Sequence, residues 1–246
     1  MDLRRLTLLP EPLKNAFLGW IDPLAAGLVK AGLTPNRITT ISIMLIVGSG
    51  ALYALGALHL GGAMLLLSGL FDLLDGKVAR SSNQTSKFGA FYDSSMDRLG
   101  DGALFTGIAI YYMTSAIRSA GDRLPVLALG LCFACLTGSF LVSYTRARAE
   151  GLGLEAKVGM AQRAERLVFL GVPTLFFGAG GEQGWMLLAI LAWLTLISWI
   201  TVVQRIMHVY RITADERKPA SAARNAGTSA SPQAPSAVPD PVVKGT

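Results

Sequence analysis

Along the chain, long apolar runs alternate with short polar connections. Residues 124–145 and 185–203 contain no charged side chain, and at about 1.5 Å per residue either run is long enough to cross a hydrocarbon core roughly 30 Å thick. The same alternation predicts six membrane-spanning helices, at residues 38–58, 62–80, 92–117, 124–148, 165–180 and 184–207. Ahead of them, residues 11–33 interleave apolar side chains with Lys14, Asp22 and Lys30, the pattern of an amphipathic helix lying along the membrane interface. Gly32 is expected to stop that helix and Thr34-Pro35-Asn36 to start the next one. Beyond Thr213 the pattern dissolves into Ala, Ser, Pro and isolated charges, a composition that buries too little apolar surface to offset its ordering entropy and predicts disorder.

Composition agrees with the pattern. The chain is 52% hydrophobic and 15% charged, well below the roughly 25% charge of soluble domains. Pro10, Glu11, Pro12 and Lys14 interrupt the beginning of the chain, so no cleavable signal peptide is expected there. The net charge of +6 would suit a nucleic-acid partner, but its distribution argues against one. Of 22 Lys and Arg residues, only Arg118 and Arg123 fall in a connection on the far side; the others precede the first span, fill 77–98 and 146–166, or follow from Arg205. This is the positive-inside pattern of an even number of spans with both termini cytoplasmic. The expected organisation is therefore a cytoplasmic N-terminal segment over 1–37 with the interfacial helix, a six-helix transmembrane catalytic domain over 38–212, and a disordered cytoplasmic tail over 213–246. Cys132 and Cys135 share an apolar helix and read as packing residues, and His59 and His208 are isolated.

Four carboxylates carry the chemistry. Asp72 and Asp75 stand i, i+3 near the end of the second span, and Asp93 and Asp97 stand i, i+4 at the start of the third, so each pair shares a helix face. Two antiparallel helices bring all four together. Such a group at the edge of a bilayer repels itself strongly unless a cation sits among the acids, and hard oxygen ligands favour Mg²⁺, Mn²⁺ or Ca²⁺. Gly76 and Ala79 leave room beside the acids for a ligand, and Arg80 is a permanent cation suited to phosphate.

The full run is D-x-x-D-G-x-x-A-R-x8-G-x-x-x-D-x-x-x-D, formed by Asp72, Asp75, Gly76, Ala79, Arg80, Gly89, Asp93 and Asp97. It resembles, without a departure, the signature of the CDP-alcohol phosphatidyltransferase family. The resemblance implies two divalent cations, Mg²⁺ or Mn²⁺, one held by Asp72, Asp75 and Asp93 and the second by Asp72, Asp93 and Asp97. It implies CDP-diacylglycerol as donor, bound by Thr34, Pro35, Asn36 and Arg37 together with Gly76, Arg80 and Ser86, and Asp97 as the general base. It also implies a homodimer in the cell membrane whose active site faces the cytoplasm. An intramembrane prenyltransferase would lack the D-G-x-x-A-R core, and a cation-coupled transporter would place its acids near the midplane rather than at one surface.

The acceptor is written elsewhere. Ser143-Tyr144-Thr145-Arg146-Ala147-Arg148-Ala149-Glu150 and Glu165-Arg166 are similar to the branch that joins inositol phosphate to CDP-linked lipid. Arg146, Arg163, Arg166 and Arg205 supply cations at the same membrane level as the acids, a basic pocket that a neutral alcohol would not need, and in that branch Ser143, Arg146, Arg166 and Arg205 would surround the acceptor phosphate. Arg146 stands where some members have lysine. Glycerol 3-phosphate, the acceptor of phosphatidylglycerophosphate synthases, is the alternative.

Overall fold

The computed structural model describes residues 11–82, 84–118, 123–156, 158–159, 163–181 and 184–228. These form seven α-helices: α1 (Glu11–Lys30), α2 (Pro35–Ala54), α3 (Leu58–Ser81), α4 (Lys87–Arg118), α5 (Leu124–Gly151), α6 (Arg163–Phe177) and α7 (Trp185–Thr228). α1 ends as expected: Gly32 takes a φ of 73°, and Leu33 N–H donates back to the Leu28 carbonyl at 3.1 Å. Thr34 then sits extended at the N-cap of α2, with Pro35 in the first turn, where its missing N–H costs nothing.

Helices α2 to α7 close into a ring. α2 packs on α3 and α4, α3 on α6, α6 on α7, α7 on α5 and α5 on α4, while α1 lies against α3. The helices approach closely where glycine removes bulk. A Cβ on Gly50 of α2 would lie 2.5 Å from the Ala103 carbonyl oxygen of α4, and one on Gly62 of α3 would lie 2.6 Å from the Leu175 nitrogen of α6. The core inside the ring contains Tyr53, Leu65, Ile108, Leu191 and Leu194, all fully buried. The Tyr53 hydroxyl meets Thr174 Oγ1 at 2.5 Å, so neither buried hydroxyl lacks a partner. Cys132 and Cys135 are buried in the same core, in the packing role their apolar surroundings suggested. A second, smaller cluster joins Ile21 and Ala25 of α1 to Ile38, Leu73, Leu74 and Val78, and an Asp22–Lys77 ion pair adds to it. It seats α1 beside the acid-bearing end of α3.

Helices stand at all six positions where spans were expected. Among the described residues, four of them are long and apolar enough by length and composition to cross a membrane: α2, α3, α5 and the Trp185–Ala214 part of α7. α4 falls short because Lys87, Asp93, Asp97, Arg98 and Asp101 occupy its first half. α6 has 15 residues, roughly 22 Å of helix against a 30 Å hydrocarbon core. α7 continues to Thr228, past the Thr213 boundary expected for the tail. Residues 229–246 of the expected tail, and residues 1–10 of the N-terminal segment, lie outside the described residues.

Candidate active site

The motif acids meet where the start of α2, the end of α3 and the starts of α4 and α6 come together. Asp72 and Asp75 project from one face of α3 and are buried; Asp93 approaches from α4. One oxygen from each of the three lies within 4.8 Å of the others. Thr39 of α2 donates its hydroxyl proton to Asp75 Oδ2 at 2.7 Å, fixing that carboxylate from the opposite side. Three carboxylates at this separation, largely withdrawn from water, are an unstable arrangement without positive charge between them. Their donor set is all oxygen, the chemistry of Mg²⁺ and Mn²⁺ rather than of softer metals, so the residues fit a divalent ion.

Asp97 stands apart from this group of three. Its Oδ1 lies 2.6 Å from Arg163 Nη1, and the same nitrogen donates to Asp72 Oδ1 at 2.9 Å. Arg98 approaches the other Asp97 oxygen at 3.8 Å. The second ligand set expected from Asp72, Asp93 and Asp97 is thus interrupted by the guanidinium of Arg163, which satisfies two of its members.

Beside the three acids opens a cleft of about 170 Å³, walled by α2, α3 and α4 and by the connection between the latter two. Pro35, Asn36, Gly76, Arg80 and Ser86, all anticipated as donor-binding residues, line it. Thr34 and Arg37 do not: Thr34 caps α2, and Arg37 N–H donates to the Thr34 carbonyl at 3.0 Å. Ser86 has a second task, since its Oγ accepts the Gly89 N–H at 2.9 Å at the first turn of α4. A Cβ on Gly89 would come within 3.1 Å of that oxygen and 3.4 Å of Asn36 Oδ1, so glycine there keeps the cleft wall thin.

The anticipated acceptor residues divide. Ser143 of α5 accepts a hydrogen bond from Arg98 Nη1 at 2.5 Å and so lies next to the acids. Arg166 is buried in α6, with Nη2 3.2 Å from Asp101 Oδ2. Arg205 of α7 donates from Nε to the Val158 carbonyl at 2.8 Å and from Nη1 to the Val142 carbonyl, and it lies within electrostatic reach of Arg146 and Arg166. Arg146 is exposed and pairs with Glu150 one turn on, at 2.9 Å. Three residues that matter here, Thr39, Asp101 and Ser139, were not anticipated at the site, and Arg163 was expected only as one of the cations level with the acids. Thr39 and Arg163 touch the motif acids, while Asp101 and Ser139 lie behind them. Asp101 continues the four-residue spacing of Asp93 and Asp97, a signal present in the sequence but beyond the end of the family motif.

Comparison with known proteins supports the same grouping. A profile of CDP-alcohol phosphatidyltransferases matches residues 32–207. The chain is 37% identical over 181 residues to the phosphatidylinositol phosphate synthase of Streptomyces avermitilis, covering 71% of this chain and 70% of that one. It is 34% identical over 177 residues to the archaetidylinositol phosphate synthase of Pyrococcus horikoshii, covering 71% and 86%. The crystal structure of Mycobacterium tuberculosis phosphatidylinositol phosphate synthase with CDP-DAG bound superposes with a TM-score of 0.65 at 33% identity, over 77% of this chain and 93% of that one. A structure of the same enzyme with manganese and citrate gives 0.65 at 32% identity, over 77% and 88%. With most of its length matched, and with the signature acids gathered at one site, the chain belongs to the CDP-alcohol phosphatidyltransferase family.

Proposed function

We propose that this enzyme transfers a phosphatidyl group from CDP-diacylglycerol to the hydroxyl of a phosphorylated alcohol, inositol phosphate, and releases CMP. The observation that carries the reading is the adjacency of three motif carboxylates to a cleft lined by Asn36, Gly76, Arg80 and Ser86. A pyrophosphate needs both a cation and a nearby polar wall, and the two occur together here. Asp72, Asp75 and Asp93 would hold one divalent ion, and Asp97, once Arg163 yields, would share a second with Asp72 and Asp93. When bound, such ions neutralise charge on the transferring and leaving oxygens. Asp97 takes the proton of the acceptor hydroxyl. The hydroxyl oxygen forms a bond to the β-phosphorus, the bond from that phosphorus to the bridging oxygen breaks, and CMP carries the released electron pair.

Arg166, Ser143 and Arg205 form the acceptor side of this reading, supported by the names of the Streptomyces and Pyrococcus relatives and by the burial of Arg166 at 5% exposure. A cation that is withdrawn from water is worth far more to a doubly charged phosphate than to a neutral alcohol. The reading further includes α4 and α6 as fifth and sixth spans, site and termini facing the cytoplasm in the cell membrane, and a homodimer. CMP release from labelled CDP-diacylglycerol, compared across inositol phosphate, glycerol 3-phosphate, inositol and serine, tests the acceptor. Inositol phosphate is expected to give the highest turnover. Preference for glycerol 3-phosphate would move the enzyme to the neighbouring branch, and preference for a neutral alcohol would overturn the phosphorylated acceptor.

A further inference from the structure

Behind the motif acids lies a carboxylate that the motif does not contain. Asp101 is 3% exposed, deeper than Asp72 or Asp75. Its Oδ1 lies 3.6 Å from Arg163 Nε, its Oδ2 lies 3.2 Å from Arg166 Nη2, and Ser139 of α5 donates its hydroxyl proton to Oδ2. One acid thus joins two arginines from successive turns of α6, and each arginine points its remaining nitrogens elsewhere. Arg163 Nη1 reaches Asp72 and Asp97, while Arg166 Nε and Nη1 are buried without a hydrogen-bond partner among the described residues. A buried guanidinium with two unsatisfied nitrogens is poorly placed for stability, which points to an anionic ligand rather than to the fold as its purpose.

We propose that Asp101 is a positioning residue for the transfer: held by Ser139, it fixes Arg166 so that the unsatisfied edge of that guanidinium is presented to the phosphate of the acceptor. The role rests on the reading of Arg166 as an acceptor-phosphate ligand. Asp101 itself touches neither substrate. Charge explains why a carboxylate stands here: the two α6 arginines repel one another, and a single acid between them holds both at fixed angles. Geometry explains why it needs Ser139. A carboxylate with two cationic partners swings toward the nearer one unless a third contact pins it.

The test measures KM for inositol phosphate and for CDP-diacylglycerol on purified Asp101→Asn, Ser139→Ala and Arg166→Ala. CDP-diacylglycerol-dependent thermal stabilisation serves as the check of folding. Asp101→Asn is expected to raise the acceptor KM at least about 10-fold, the value of one charge-assisted contact, while the donor KM stays within about threefold. Ser139→Ala, which keeps every charge, is expected to show the same selective rise at about threefold or more. If Asp101→Asn does not fold, Ser139→Ala decides alone. A fully folded Asp101→Asn or Ser139→Ala enzyme with unchanged acceptor KM, or with both KM values raised alike, overturns the role. Arg166→Ala separates the two failures. If it raises acceptor KM and the other variants do not, only the positioning role falls; if it leaves acceptor KM unchanged, the acceptor pocket falls and the positioning role with it.

Discussion

The site divides its acids by partner. Asp75 is held by a neutral hydroxyl, Asp72 and Asp97 by one guanidinium, and Asp93 approaches from the other helix. Asp97, offset from the other three, is the one whose loss should spare donor binding. Asp97→Asn is expected to lower CMP release at least about 10²-fold, the low end for a general base, while CDP-diacylglycerol still raises the melting temperature of the purified variant. Thr39→Val removes the proton donated to Asp75 without changing volume much. By analogy with other residues that orient metal ligands, it should raise the half-saturating Mn²⁺ concentration by about 10-fold, read from activity and from direct Mn²⁺ binding. The motif acids were legible in the sequence because their spacings of three and four are helix spacings, and helices turn equal spacing into one face. Thr39 was not, since its partner lies on another helix and a lone threonine carries no pattern. Asp101 was half-legible: its spacing was visible, but only the fold shows that it faces two arginines.

At the level of helices, the apolar pattern located all six helices after α1, but α4 and α6 carry less unbroken apolar length than α2, α3, α5 and α7. α4 spends its first half on the site, and α6 is short and ends before Gly178, which takes a φ of 60°. A run of hydrophobicity understates a helix whose polar residues face a neighbour rather than solvent. Small residues set the distances between these elements. Gly50→Ala would press a methyl group onto the α4 backbone, which has no flexible end to move aside. The variant is expected to lose about 1–3 kcal/mol of stability, seen as a lower melting temperature in detergent, with KM values close to wild type in the folded fraction. The continuation of α7 behaves differently. Every site residue and the whole family match precede Ala214, so a chain ending there is expected to keep turnover within about twofold of the full chain. Loss of activity in a stable, shortened protein would give the last part of α7 a share in the site.

For the whole molecule, the order of helices around the ring matters more than their number. Neighbours in sequence, α2 with α3, α4 with α5 and α6 with α7, are also neighbours in the ring. The two remaining connections run between helices that are not neighbours: from α3 to α4, where residues 84–86 line the cleft beside the start of α2, and from α5 to α6, where Arg205 and His208 of α7 hold the carbonyls of Val158 and Glu155. The chain is therefore three helical hairpins, and the site exists only where the hairpins meet. This has a consequence for synthesis. The ribosome completes the eight-residue signature by Asp97, well before it makes α6 and α7, so a nascent chain carries all four signature acids before any of Arg163, Arg166 or Arg205 has been translated. Until the third hairpin arrives, Asp72 and Asp97 lack the one guanidinium that joins them in the folded chain.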